Sequence, residues 1–139
     1  LDVFSHCEQA HKYILDNEAS LPLHIREDLA GLQNLKVATY WHDIGKPCTK
    51  FYKKLPDSEE FDLSCAHYYD HHCVGGYMAY GLSLPREITS REQIRNACFI
   101  SWLISNHMEP FFNSKYYQGL DSTLKAYIIA LHKADTQAH

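Results

Sequence analysis

The sequence predicts an all-α fold, a single compact bundle of about five to seven helices filling residues 1–139. Three observations carry that expectation. Apolar residues recur at spacings of three and four along several segments, the period of a helix with one buried face. No segment alternates apolar and polar residues with the period of two that marks a half-buried strand. Polar caps and glycine or proline stops fall where the periodic stretches begin and end.

Taken in order, the first helix covers Val3 to about Leu15, and the Leu21-Pro22 pair interrupts the chain after it. A short helical piece follows around Ile25–Ala30, and Gly31 breaks it. The third helix runs from about Gln33 to Ile44 and stops at Gly45-Lys46-Pro47, since glycine closes helices and proline cannot continue them. Lys50–Ser64 is charged and holds Pro56-Asp57-Ser58-Glu59-Glu60, so it reads as a surface loop placed to act as a lid. A further helix starts near Tyr69 and fades by Gly81; Gly75-Gly76 inside it predicts the close approach of another helix. Ser90-Arg91-Glu92-Gln93 is a capping box that opens a helix to about Asn106. Asp121-Ser122 caps the last helix, which runs toward the C-terminus.

Composition bounds the function. A chain of 139 residues, 45% hydrophobic and 22% charged, can bury a core without a disulfide or a metal to hold it. No apolar run approaches the roughly 18–20 residues that span a bilayer. The net charge of −4 argues against non-specific nucleic-acid binding and against an anionic membrane surface. Cys7, Cys48, Cys65, Cys73 and Cys98 are odd in number and form no C-x-x-C pair, which fits free, buried thiols in a reducing cytoplasm. The opening at Leu1, without methionine, fits a domain cut from a longer protein.

Ten histidines are a marked excess for this length, and histidine is the commonest metal ligand. Sorting them by helix face gives the excess a meaning. Leu124, Ile128, Leu131 and Asp135 are spaced 4, 3, 4, so a carboxylate continues an apolar stripe. Val3, His6, Ala10 and Tyr13 do the same for His6, and Leu35, Ala38 and His42 for His42, with Asp43 one step round. His71, Val74 and Met78 turn His71 inward, and Ile100, Leu103 and His107 turn His107 inward. A lone buried histidine is usually satisfied by a backbone carbonyl. Four histidines and two carboxylates converging on one interior are explained together by metal, because an unpaired buried carboxylate costs several kcal/mol. His11, His24, His132 and His139 lie off these stripes and read as ordinary surface residues.

The segment Trp41-His42-Asp43-Ile44-Gly45-Lys46-Pro47 resembles the HD-domain superfamily of metal-dependent phosphohydrolases, whose pattern is His … His-Asp … Asp on a helical core. Here that pattern is His6, His42-Asp43 and Asp135. His67-Tyr68-Tyr69-Asp70-His71-His72-Cys73-Val74-Gly75-Gly76 and Asn106-His107-Met108 are similar to segments of the HD part of bacterial CCA-adding enzymes. Two positions depart from that subgroup: Asp70 stands where it has glycine, and His72 where it has glutamate. The 139 residues leave no room for a nucleotidyltransferase head, so the resemblance implies a shared phosphohydrolase module in a single HD domain.

The resemblance implies one or two divalent ions (Fe, Mn, Mg, Co, Ni or Zn) held by His6, His42, Asp43, His71, His107 and Asp135, with Asp43 as the bridge. It implies hydrolysis of a phosphomonoester or phosphodiester, of a nucleotide or small organophosphate, by a metal-activated hydroxide. Lys46 is then a candidate phosphate contact, or else a solvated lysine at a helix C-terminus. His67 and His72 are candidates to protonate the leaving group or to orient the ligands, and Asp70 to cap the helix that follows it. The clusters Tyr68-Tyr69, Phe111-Phe112 and Tyr116-Tyr117 either line a base-stacking pocket or pack the core. Two other functions fit the same residues: a di-iron oxygenase of the HD type, and a regulatory module that binds a nucleotide without turning it over. A homodimer is compatible with the helical surfaces.

Overall fold

The computed structural model describes residues 2–138, so His139 lies outside the described residues. The described chain is all-α apart from one hairpin, and its order is α1 (Val3–Asp16), a 3-10 turn (Glu18–Ser20), α2 (Leu23–Glu27), α3 (Leu29–Trp41), α4 (Lys46–Thr49), β1 (Phe51–Lys54), β2 (Phe61–His67), α5 (His71–Ser83), α6 (Arg91–Asn106), α7 (Glu109–Phe112), α8 (Lys115–Gln118) and α9 (Ser122–Gln137). Nine α-helices among the described residues exceed the five to seven expected, because α4, α7 and α8 are single turns of four residues.

The caps fall where the sequence put them. Ser90 accepts the Gln93 amide while the Gln93 side chain takes the Ser90 amide, a complete capping box, and Asp121 accepts from Leu124 N–H at 2.9 Å. Asp2 and Asp28 cap α1 and α3 in the same way, through Ser5 and Gly31.

Gly31 does not break a helix. It lies buried inside α3, where an added Cβ would fall 2.6 Å from Asp28 Oδ2 and closer still to the Tyr127 hydroxyl. The third helix therefore starts at Leu29 and ends at Trp41, three residues short of Ile44, and His42–Gly45 form a turn before α4. Lys46 accordingly opens a new helix instead of closing the old one.

Lys50–Ser64, expected as a loop, is mostly an antiparallel hairpin pairing Phe51 with His67. Neither face of it is buried: Phe61 and Leu63 are 53% and 73% exposed, so no in-and-out alternation marked it in the sequence. Asp70 is a second departure. It sits at the N-cap of α5 with φ 58° and ψ 17°, and its side chain makes no capping bond. That left-handed backbone is the conformation glycine adopts without cost.

The core gathers Ile14, Ile25, Leu35, Leu103, Ile104, Ile128 and Leu131, all fully buried, from α1, α2, α3, α6 and α9. Helix α5 closes one side through its glycines, as the Gly75-Gly76 pair predicts. Gly75 meets the Gly45 amide and Ile104, and a Cβ on Gly76 would lie 2.9 Å from the Ser101 carbonyl. Of the five cysteines expected to be buried, only Cys7 is. Cys48, Cys65, Cys73 and Cys98 are exposed, since each falls on the outer face or edge of its element. No described helix is long and apolar enough to cross a membrane.

Candidate metal centre

Five helical segments deliver six side chains to one point. His6 comes from α1, His42 and Asp43 from the end of α3 and its turn, His71 from the first residue of α5, His107 from the C-cap of α6 and Asp135 from α9. All six residues expected as ligands meet there. Their donor atoms form two groups, His6–His42–Asp43–Asp135 and Asp43–His71–His107, each with its atoms within 4.8 Å of one another. Asp43 belongs to both.

The two oxygens of Asp43 divide between the groups. Oδ2 lies 3.5 Å from His6 Nε2 and 3.6 Å from His42 Nε2, whereas Oδ1 lies 3.3 Å from His71 Nε2 and 3.9 Å from His107 Nε2. Asp135 Oδ1 completes the first group, 2.8 Å from His6 Nε2 and 3.3 Å from His42 Nε2.

Each imidazole is oriented by the same device. His42 Nδ1 donates to Thr39 O at 2.7 Å, His71 Nδ1 to Tyr68 O at 2.8 Å, and His107 Nδ1 to Ile104 O at 2.7 Å. These acceptors are all three residues upstream, where a ring at a helix end or turn can fold back onto the chain. His6 Nδ1 reaches Ala138 O at 3.1 Å. A carbonyl can only accept, so Nδ1 carries a proton in all four rings, which leaves Nε2 as the nitrogen whose lone pair can face inward.

Lone pairs facing lone pairs need a cation between them. His42 Nε2 and His6 Nε2 stand 3.3 Å apart, and His107 Nε2 and Asp43 Oδ1 are buried with no hydrogen-bond partner at all. An orphaned buried acceptor costs about 1–3 kcal/mol, and here two of them point at each other. The buried His/Asp groups can therefore hold a metal ion, and the mix of imidazole and carboxylate suits a borderline-to-hard divalent one.

Without an ion, protons take its place in part. Burial opposes a charge on His42, but the Asp135 carboxylate, the Cys7 sulfur 3.9 Å away and Asp43 overcome it and push the ring up to about 10. Burial and the neighbouring His42 push His107 down to about 3, so it stays neutral. Burial raises the Asp43 carboxyl, yet His71, His42 and Lys46 together hold it well below the usual carboxylate range. Asp135 is held low in the same way, by His42 against its own burial.

No family model, curated protein or solved structure matches the chain.

Lys46 joins the centre, its Nζ 2.5 Å from Asp43 Oδ2 and 5.8 Å from the centroid of the Tyr68 ring. It is not the freely solvated lysine of the alternative reading. A cavity of about 510 Å³ opens over this side, walled by His6, Asp43, Lys46, Tyr68 and Asp135. His72 lies behind the second group, its ring 5.7 Å from that of His71, and burial lowers its pKa. His67 is not brought to the ligands: as the last residue of β2 it stacks on Tyr69 and Phe51. His11 and His24 bind backbone carbonyls away from the cluster, whereas His132 binds the backbone carbonyl of His107 and offers no ring nitrogen to either donor group.

The sequence did not single out Cys7 beside His42; its position next to His6 was the one available signal. Tyr68, named in the sequence as a pocket or core residue, lines two cavities.

Proposed function

We propose that this chain is a metal-dependent phosphohydrolase of the HD type that cleaves phosphate mono- or diesters at two divalent ions sharing Asp43. The observation that carries this reading is the pair of orphaned acceptors, His107 Nε2 and Asp43 Oδ1, buried 3.9 Å apart with no hydrogen-bond partner. His6, His42 and Asp135 would hold one ion with Asp43, and His71 and His107 the other. Bound there, divalent ions supply the Lewis acidity that attack of water on a phosphoryl group needs at neutral pH.

The protein's own groups do the rest. The backbone carbonyls of Thr39, Tyr68, Ile104 and Ala138 fix four ring orientations before any ligand arrives, so little reorganisation is left to the reaction. Lys46, partly exposed on the cavity wall, offers a point charge to an anionic phosphoryl oxygen entering from solvent. Its neighbour Asp43 holds that ammonium on the side where the substrate must enter. His72, kept neutral by burial, is better suited to orienting water or a leaving oxygen than to serving as a standing acid.

The test is hydrolysis by protein loaded separately with Fe, Mn, Mg, Co, Ni or Zn. Substrates are p-nitrophenyl phosphate, its bis ester, nucleoside monophosphates and 2′,3′-cyclic nucleotides. Wild type is expected to turn over at least one of them, with Lys46→Met slowed about 10²-fold and the double variant His42→Ala/Asp43→Ala inactive. Equal rates for wild type and the double variant on every substrate refute the proposal. Two bound irons with O₂ consumption support the oxygenase instead, and tight nucleotide binding without turnover supports the regulatory module.

A further inference from the structure

A second cavity, of about 360 Å³, adjoins the metal centre and falls within the range of about 300–1,000 Å³ typical of small-molecule sites. It shares His71 with the second donor group and Tyr68 with the wall of the first cavity, so one ligand can lie across both. Its lining is unlike that of the first. His67, Tyr69, His72 and Phe112 present rings to it, with Met108 alongside. His67 and Tyr69 lie nearly parallel, 5.8 Å apart at 19°, and Phe51 packs tilted against both, 5.4 Å from His67 and 5.1 Å from Tyr69.

Tyr69 and Phe112 are 58% and 51% exposed, so packing of the core does not account for them. The hairpin that carries His67 and Phe51 also contributes nothing to the core. Lys53 lies over the outer face of the Tyr69 assembly, 5.7 Å from its ring centroid. Flat rings at a half-open cavity, with histidine and aspartate edges beside them, bind another flat ring that carries hydrogen-bonding groups.

We infer that this cavity receives the aromatic base of a nucleotide whose phosphate lies at the Asp43 centre, so that the hairpin and α7 select base-bearing esters over sugar phosphates. The phosphate end rests on the phosphohydrolase reading; the base end does not.

The chain has two methionines, and only Met108 lines the cavity, while Met78 lies beside Cys48. Methyl-labelled methionine NMR therefore reads the pocket directly, with no turnover required. Adenosine is expected to shift the Met108 methyl and leave Met78 in place, and ribose to shift neither. Tyr69→Ala and Phe112→Ala, both at exposed positions, are each expected to weaken the Met108 response. In turnover, kcat/KM for adenosine 5′-monophosphate should exceed that for ribose 5-phosphate by about tenfold, a ratio that falls toward one in Tyr69→Ala. A Met108 methyl unmoved by adenosine up to its solubility limit overturns the inference, even if phosphate esters are hydrolysed. A Met108 response with no ester hydrolysed leaves the base pocket standing and removes only the phosphohydrolase reading.

Discussion

Replacing His107 by leucine should raise stability without metal and lower it with metal. In the ion-free protein the change deletes a buried acceptor that has no partner, which recovers about 1–3 kcal/mol. It also deletes the Nδ1–H bond to Ile104 O, worth about 1 kcal/mol, but that carbonyl keeps the backbone amide of residue 107 at 3.4 Å. The net is a gain of about 1 kcal/mol. A chain of 139 residues has an unfolding entropy of about 0.29 kcal/mol/K, so Tm rises by about 3 °C in chelator. An ion held by the second group at a hundred times its Kd stabilises wild type by about 2.7 kcal/mol, about 9 °C, and the variant loses that increment. Wild type should therefore lead by about 6 °C under saturating metal, the difference between those two shifts. Scanning calorimetry in chelator and in Zn²⁺ or Mn²⁺ measures both. A variant less stable than wild type in chelator, or one that gains as much from metal as wild type, refutes the reasoning.

Four further outcomes follow from the same geometry. The raised His42 contributes stability to the ion-free protein that is full below its unfolded value of 6.5 and is lost as pH climbs toward about 10. The depressed Asp43 and Asp135 contribute stability that is present above 3.8 and is lost as pH falls below it. Melting in chelator should thus be highest between these limits and decline toward pH 9. Ion affinity, which requires neutral His42, should tighten by about tenfold per pH unit from 7 to 9 by calorimetric titration, and a flat profile contradicts the assignment. Gly45→Ala places a Cβ against the His71 carbonyl and 2.6 Å from the Gly75 amide, neither of which can yield. It should cost about 2–3 kcal/mol, about 7–10 °C, and weaken ion binding by displacing His71; a Tm within a degree of wild type counts against that packing. Asp70→Gly relieves a left-handed backbone that no side-chain bond supports, and Tm should rise by about 2 °C, whereas Asp70→Val should lower it.

The convergence of the six His and Asp side chains was legible because burying a histidine or aspartate on an apolar stripe leaves a mark in the spacing, as with Ile100, Leu103 and His107. The caps at Ser90 and Asp121 were legible because they need only local chemistry. The hairpin was not, since its exposed Phe61 and Leu63 carry no burial pattern to read. Gly31 misled because its role depends on Tyr127, which lies ninety-six residues away in the chain. Asp70 misled in the opposite sense: aspartate suggests a side-chain cap, while the backbone there is left-handed and the side chain makes no capping bond. The exposure of four cysteines could not be seen from composition, which counts thiols without placing them on a face.

The most direct test of the central claim is anomalous diffraction from crystals grown with Mn²⁺ or Zn²⁺. Two peaks are expected, one among His6, His42, Asp43 and Asp135 and one among Asp43, His71 and His107, with a different oxygen of Asp43 turned to each. Asp135→Asn should keep the second peak and lose the first. An empty cluster in wild-type crystals that bind the ion elsewhere would contradict the account.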